Sequence, residues 1–353
     1  MATPHKGRGA ITSPDGRYAS RSVVFDDSEA ELRQETAPET VLRAMPAGTI
    51  ISSNNSPDVP FDRSINPYQG CEHGCVYCYA RPSHSYLDLS PGLDFETQIF
   101  YKPNAAERLL AEWQKPGYEC KPITLGANTD PYQPAEKTLL ITQQLLKLFA
   151  EYRHPVNLIT KSYLICRDIE LLADLASDGL CSVAVSIPTL DASLKRIMEP
   201  RVPSASARLK AITQMSRAGV PVSLLLAPVI PAINDHEIES ILAAATSAGV
   251  VQAHYIFLRL PHELKEIFSE WLKAHYPDRY EHVMSLIRQA GGGKTYDHRF
   301  GARQTGKGAY ADMLAARFAK AIRQYGLDSR GYQPTLDCSQ FLHPERQQLG
   351  FGF

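Results

Sequence analysis

The chain has almost no net charge: 37 lysines and arginines stand against 38 aspartates and glutamates, a formal −1 over 353 residues. No global field therefore draws it toward nucleic acid or an anionic surface. It lacks any apolar run of about 18 residues, so no membrane span is expected. The opening stretch, MATPHKGRGAITSPDG, has no apolar centre and does not read as a secretory signal. Cysteine is sparse and odd in number, seven in all. A chain this long has no need of a disulfide framework, and scattered thiols fit a reducing cytoplasm, the expected compartment. A second C-x2-C pair, the usual complement of a structural zinc site, is also missing.

What is present is concentrated at residues 64–84, SINPYQGCEHGCVYCYARPSH, which hold Cys71, Cys75 and Cys78 in a C-x3-C-x2-C run. Gly70 and Gly74 let the backbone there take positive φ and pass close to a bulky group. Three thiolates this near in sequence can converge on one inorganic centre, and cysteine thiolates are the ligands of iron–sulfur clusters. A [4Fe-4S] cubane usually takes four, so three local ligands leave one iron open, and an open metal position is where chemistry happens. Zinc completed by His73 or His84 is the alternative reading.

The rest of the chain alternates apolar strands with amphipathic helices. Strands are expected at 61–68, 123–131, 156–162, 182–190, 221–231 and 251–261. Helices are expected at 104–113, 136–152, 167–177, 203–219, 234–249 and 262–276. A β-rich run at 97–101 is set apart from this series. Ser204 or Ser206, and Asn234 or Asp235, are expected helix N-caps, with Gly219 and Gly249 at helix ends. Near-continuous apolar strands alternating with helices mean βαβ units and a parallel sheet. Six units fall short of the eight of a closed TIM barrel. The expected fold is α/β: a partial (βα)6 TIM-type barrel over residues 50–277, with an N-terminal arm at 1–49 and a C-terminal helical and loop extension at 278–353. The arm, basic at 5–21 and acidic at 26–39, reads as a solvated strap or partly disordered arm, or else as an arm that closes over the site or touches a polyanion. Helices at 278–290 and 309–325 are placed to cover the open side. Between residues 288 and 323 eight lysines and arginines stand against two acids. That stretch reads as a solvated face, or as a contact for a phosphate-bearing substrate.

The cysteine run, with Tyr77 directly before its last member, resembles the signature of the radical S-adenosylmethionine superfamily. The longer string resembles a bacterial group within it that is related to spore photoproduct lyase and often labelled DNA repair photolyase. The resemblance extends from about residue 50 to about 325. It implies one [4Fe-4S] cluster and S-adenosylmethionine, reductively cleaved to a 5′-deoxyadenosyl radical that abstracts hydrogen from substrate. It also implies an external one-electron donor such as flavodoxin or ferredoxin.

In parallel barrels ligands sit at the C-terminal ends of the strands, and the resemblance gives those ends roles. Asn128, Thr129 and Asp130 would hold the cosubstrate's amino group, although GANTDPYQP departs from the glycine–glycine–glutamate motif many members carry there. Lys161, costly at a buried strand end unless paired, would take a carboxylate or ribose oxygen, and Ser186 would contact the ribose. Glu199 would return to the ribose and Arg201 to the methionine carboxylate. Ala227 to Pro231 with Ile256 to Leu258 would floor the adenine, and Tyr77 would lie against it. Tyr79, Arg81 and His84 either point over the cluster or cap the helix that starts there. The lyase's hydrogen-donating cysteine corresponds to Ala127, which argues against direct equivalence. Cys120, Cys166, Cys181 and Cys338 read as isolated thiols. The substrate is left open, with nucleic acid one candidate. A photoproduct-lyase-type repair activity and a non-catalytic, metal-bearing nucleic-acid-binding protein are the competing readings.

Overall fold

The computed structural model describes residues 5–19, 39–301, 303–327 and 335–344. The acidic part of the arm, Glu39 excepted, lies outside them, as does Arg21. In chain order the strands are β1 (Val41–Ala44), β2 (Ser52–Ser53), β3 (Arg63–Ile65), β4 (Tyr68–Gln69), β5 (Gln98–Tyr101), β6 (Ile123–Leu125), β7 (Val156–Thr160), β8 (Cys181–Ser186), β9 (Val222–Val229) and β10 (Gln252–Phe257). Six of them, β3 and β6 to β10, form one parallel sheet in sequence order, and β2 pairs antiparallel on the β3 edge. This is the expected series of six βα units. Every residue of β8 is buried, as a parallel strand covered on both faces requires.

The expected strand at 61–68 divides between two sheets. Its first part is β3, while β4 joins β5 and β1 in a separate three-stranded sheet. The run set apart at 97–101 is the centre of that small sheet.

Helices cover the sheet where the apolar periodicity places them. Ala105–Trp113 buries Ala105, Leu109 and Trp113, one face at i, i+4 and i+8. The expected helix at 136–152 is broken at Leu140, whose φ is 55°, into Glu136–Leu139 and Ile141–Glu151. Ser204 caps Ala205–Arg217 by accepting from the Ala207 amide (3.2 Å), and Gly249 ends Ile238–Ala248 in the left-handed conformation. Asn234 stands at the N-cap of the short 3-10 turn Asp235–Glu237 that leads into this helix, but does not cap it with its side chain. Its side chain accepts from the Ile230 amide (2.6 Å) and donates to the Pro188 and Pro228 carbonyls, stitching the ends of β8 and β9 together.

The C-terminal extension closes the rim between the two edges of the sheet. Helix Ala309–Tyr325 packs on Ile238–Ala248 beside β10. The loop before it accepts the Phe257 amide at the Gln304 carbonyl (2.7 Å) and pairs Arg303 with Asp58 (2.5 Å), on the segment after β2. One loop thus ties β10 to the opposite edge. Part of the arm is not solvated: residues 8–11 are buried against the cysteine loop. Among the described residues no helix is long and apolar enough to cross a membrane.

Candidate active site

The cysteine loop follows β4 and is held by bonds from four directions. The Cys71 amide donates to the Phe95 carbonyl (2.9 Å) and the Val76 amide to the Met198 carbonyl (3.1 Å). Gln133 accepts from the Glu72 amide (3.0 Å) and donates to the Gly70 carbonyl (3.2 Å). Arg81, fully buried, donates to the Cys75 carbonyl (2.9 Å) and the Gly92 carbonyl (2.8 Å) and pairs with the equally buried Glu96. The Glu96 carboxylate also accepts the Gly9 (3.0 Å) and Ala10 (2.8 Å) amides, fastening the arm to the loop. Gly74 has φ +67°, and a Cβ there would stand 2.7 Å from a Glu96 oxygen, so conformation and close approach both demand glycine. Arg81 is thus a bracket for the loop, and His84 is buried with its ring on the Gln98 carbonyl (3.0 Å). Neither points over the thiols.

All three thiols line one cavity of about 500 Å³ at the C-terminal ends of the parallel strands. Burial, then the charges of Asp130 and the two other cysteines, pushes Cys71 up. Burial, then Glu199, takes Cys75 to about 12, and burial raises Cys78. Thiolates are stable in such a place only against a cation, and a coordinating metal removes the thiol proton outright. Among the described residues no three His, Cys, Asp or Glu side chains gather as ligands of a single metal ion. The donor set is instead three sulfurs around the wall of a cavity large enough for a polynuclear centre and a small molecule beside it. That chemistry fits an iron–sulfur cluster.

The strand ends supply the rest of the wall. Lys161 donates to the Ser186 hydroxyl (3.1 Å), with its ammonium 5.9 Å from the Tyr77 ring centroid. Ser186 in turn donates to the Ala227 carbonyl (3.2 Å). Leu225, Ala227 and Ile256 contribute the apolar side, while Asn128 and Ala127 stand at the end of β6.

Asp130 lines the cavity with its acceptor sites filled. One oxygen takes the Thr160 hydroxyl (2.7 Å) and the Tyr132 amide (2.9 Å). The other takes the Lys161 amide (2.8 Å) and lies 3.4 Å from His73 Nδ1. Burial pushes the carboxyl up, but His73 and these hydrogen bonds outweigh it and hold it below its ordinary range. A carboxylate has about four lone-pair sites. Asp130 therefore links His73 of the cysteine loop to β7, with both of its oxygens already engaged.

Three other expected ligands lie outside the cavity wall. Thr129 is buried and donates to the Tyr68 carbonyl (2.7 Å). Glu199 is fully buried between the Tyr77 hydroxyl and Arg208, which also donates to the Ser186 carbonyl (2.8 Å). Burial raises the Glu199 carboxyl, and Arg208, Lys161 and Tyr77 together hold it below the ordinary value. Its service is to fix the Tyr77 ring and the β8 end, because a partner arginine nine residues on in the sequence claims it first. Arg201 pairs with Glu72 (3.3 Å) on the outer face of the cysteine loop. The cavity instead uses Arg259 and Arg303, which sequence reasoning passed over. The basic count over 288–323 was the only signal for Arg303, and Arg259 lies two residues past β10, at a strand end read for its apolar residues alone.

A profile of the Radical SAM superfamily matches residues 65–245. An uncharacterized protein of Mycobacterium tuberculosis (strain ATCC 25618 / H37Rv) is 33% identical over 289 residues, 81% of either chain. One of Methanocaldococcus jannaschii is 27% identical and covers 62% of this chain and 77% of its own. Among solved structures, a mutant of spore photoproduct lyase superposes with a TM-score of 0.59 at 16% identity, over 91% of this chain and 89% of that one. Spore photoproduct lyase complexed with dinucleoside spore photoproduct gives 0.56 at 16% identity, over 80% and 79%. The likeness to these structures is one of fold.

Proposed function

Because this chain belongs to the radical SAM superfamily and is an enzyme of that kind, we propose that Cys71, Cys75 and Cys78 hold a [4Fe-4S] cluster and that the cavity beside them receives S-adenosylmethionine. When bound, cluster and cosubstrate supply one-electron cleavage to a 5′-deoxyadenosyl radical and hydrogen abstraction from a substrate. The observation that carries the reading is that all three thiols and the polar ends of β7 and β8 line one cavity.

The chain's own residues bind, orient and shield. The three cysteines give thiolates fixed by backbone bonds. Lys161 and Ser186, already in mutual contact, present an ammonium and a hydroxyl to the cosubstrate's carboxylate or ribose. Asn128, whose side chain is exposed in the cavity, takes over the amino-group contact that Asp130 has no free oxygen to make. Tyr77, held by Glu199, is a wall against which the adenine lies, with Leu225, Ala227 and Ile256 as apolar floor. Glu199, Thr129, Asp130 and Arg201 serve as framework. A one-electron donor of flavodoxin or ferredoxin type completes the system.

Anaerobically reconstituted protein, reduced and given S-adenosylmethionine, should form 5′-deoxyadenosine by mass spectrometry, and Cys75→Ala should abolish it. Full iron content in wild type with no product, even across a panel of candidate substrates, would overturn the proposal.

The fold likeness to spore photoproduct lyase favours one second reading, a DNA repair lyase of that type. Ala127 in the cavity wall then requires a tyrosine or solvent in place of the thiol donor. Turnover of a dinucleoside spore photoproduct to two thymidines would establish it, and its absence from protein that makes 5′-deoxyadenosine would exclude it.

A further inference from the structure

Resting on the reading of this cavity as the active site, we infer that Arg259 is the anchor for a phosphate group carried by the substrate. The cations in the cavity wall are Lys161, Arg259 and Arg303, and the one carboxylate there is Asp130. Two of these cations have partners that account for them. Lys161 donates to Ser186, and Arg303 forks onto Asp58 and Ser56. The acceptor sites of Asp130 are filled by Thr160, Tyr132, Lys161 and His73. Arg259 is left over. It is half-buried, donates one long bond to the Tyr296 hydroxyl (3.3 Å) and lies over the Tyr79 ring, 5.2 Å from its centroid. Its Nε is buried with no hydrogen-bond partner, and no carboxylate pairs with it among the described residues. A guanidinium partly withdrawn from water without an anion is costly, and its stacked fork is shaped to bind one through two parallel bonds.

The setting favours phosphate over carboxylate. A single fork satisfies a planar carboxylate, whereas a tetrahedral phosphate also uses donors from other directions. The same mouth offers the Ser53 hydroxyl and the one Arg303 nitrogen not engaged with Asp58 or Ser56. Arg259 also flanks Tyr79, whose hydroxyl reaches the Ala127 carbonyl beyond the end of β6. The loop that carries Tyr296 and Arg303 spans the rim of the sheet and brings Arg303, of the basic stretch read either as a solvated face or as a phosphate contact, into this mouth.

The test titrates the anaerobically reconstituted full chain, saturated with S-adenosylmethionine, with three probes. These are a thymidine dinucleotide whose one charge is its phosphodiester linkage, its neutral counterpart with a methylphosphonate linkage, and an acetylated tripeptide with a free carboxylate. The expected result is tighter binding of the phosphate probe than of the other two. Arg259→Gln should weaken the phosphate probe about 10- to 100-fold and erase its advantage over the neutral probe. Arg259→Lys should restore part of the loss, and affinity for S-adenosylmethionine should be unchanged. Equal binding of charged and neutral probes by wild type, an Arg259→Gln variant indistinguishable from wild type, preference for the peptide, or a loss that falls on S-adenosylmethionine would each overturn the inference. Failure of the cluster proposal is seen separately, in iron content and 5′-deoxyadenosine formation by wild type.

Discussion

On the outer side of the cysteine loop, Arg81 and Glu96 meet with no exposed surface, and each Glu96 oxygen also accepts a backbone amide, from Gly9 or Ala10. On its inner side, Lys161 has a neutral hydroxyl for a partner, and Arg259 has no carboxylate partner among the described residues. Both sides are rich in charge and close backbone approaches. At Gly9, a Cβ would stand 1.8 Å from the Gly74 carbonyl oxygen. The difference is whether the protein finishes its own charges. A buried pair completed by hydrogen bonds is framework, while a cation left over in a cavity is an invitation to an anion.

The largest effect should come from breaking the finished side. Arg81→Leu leaves Glu96 buried and unpaired and should cost about 3–5 kcal/mol in denaturant unfolding. The double variant with Glu96→Leu should recover only part of this, because the Gly9 and Ala10 amides then lose their acceptor. A cost under about 1 kcal/mol for the single change would remove the distinction between the two sides.

A histidine remote from the loop sharpens the contrast through pH. His154 stacks on Trp113 (4.7 Å between centroids), bonds to the Tyr118 hydroxyl (2.8 Å) and is buried, which lowers its pKa from 6.5 to about 3. Between those two values the unfolded chain binds a proton that the folded chain refuses. This group's contribution is therefore intact above about 6.5 and is lost as pH falls toward about 3, by up to ~1.4 kcal/mol per pH unit. His154→Phe should flatten that part of the stability–pH curve, and an unchanged slope would contradict the assignment.

The smallest change in stability should follow from the unfinished side. Lys161→Ala should shift unfolding by less than about 1 kcal/mol and leave iron content intact, yet weaken S-adenosylmethionine binding by about tenfold or more. Loss of iron, or normal affinity, would move Lys161 into the framework.

The six strands and their helices were legible because burial on both faces and the 3.6-residue period are properties of contiguous sequence. The cysteine run was legible because its three members sit within eight residues of each other. The small β1–β5–β4 sheet was hidden because strands of two to four residues are defined by distant partners. The break at Leu140 carried no glycine or proline to announce it. What the sequence could not show is that Arg208 reaches Glu199 through the fold, and how many of the Asp130 lone pairs are already engaged. Arg259 was missed for the complementary reason: what marks it is a missing partner, and that exists only in three dimensions.

The most direct test of the central claim is metal analysis joined to electron paramagnetic resonance on anaerobically reconstituted protein. The account predicts about four irons and four sulfides per chain, a reduced-cluster signal that changes when S-adenosylmethionine is added, and loss of both in Cys75→Ala. One zinc per chain, or an iron signal indifferent to S-adenosylmethionine, would contradict it.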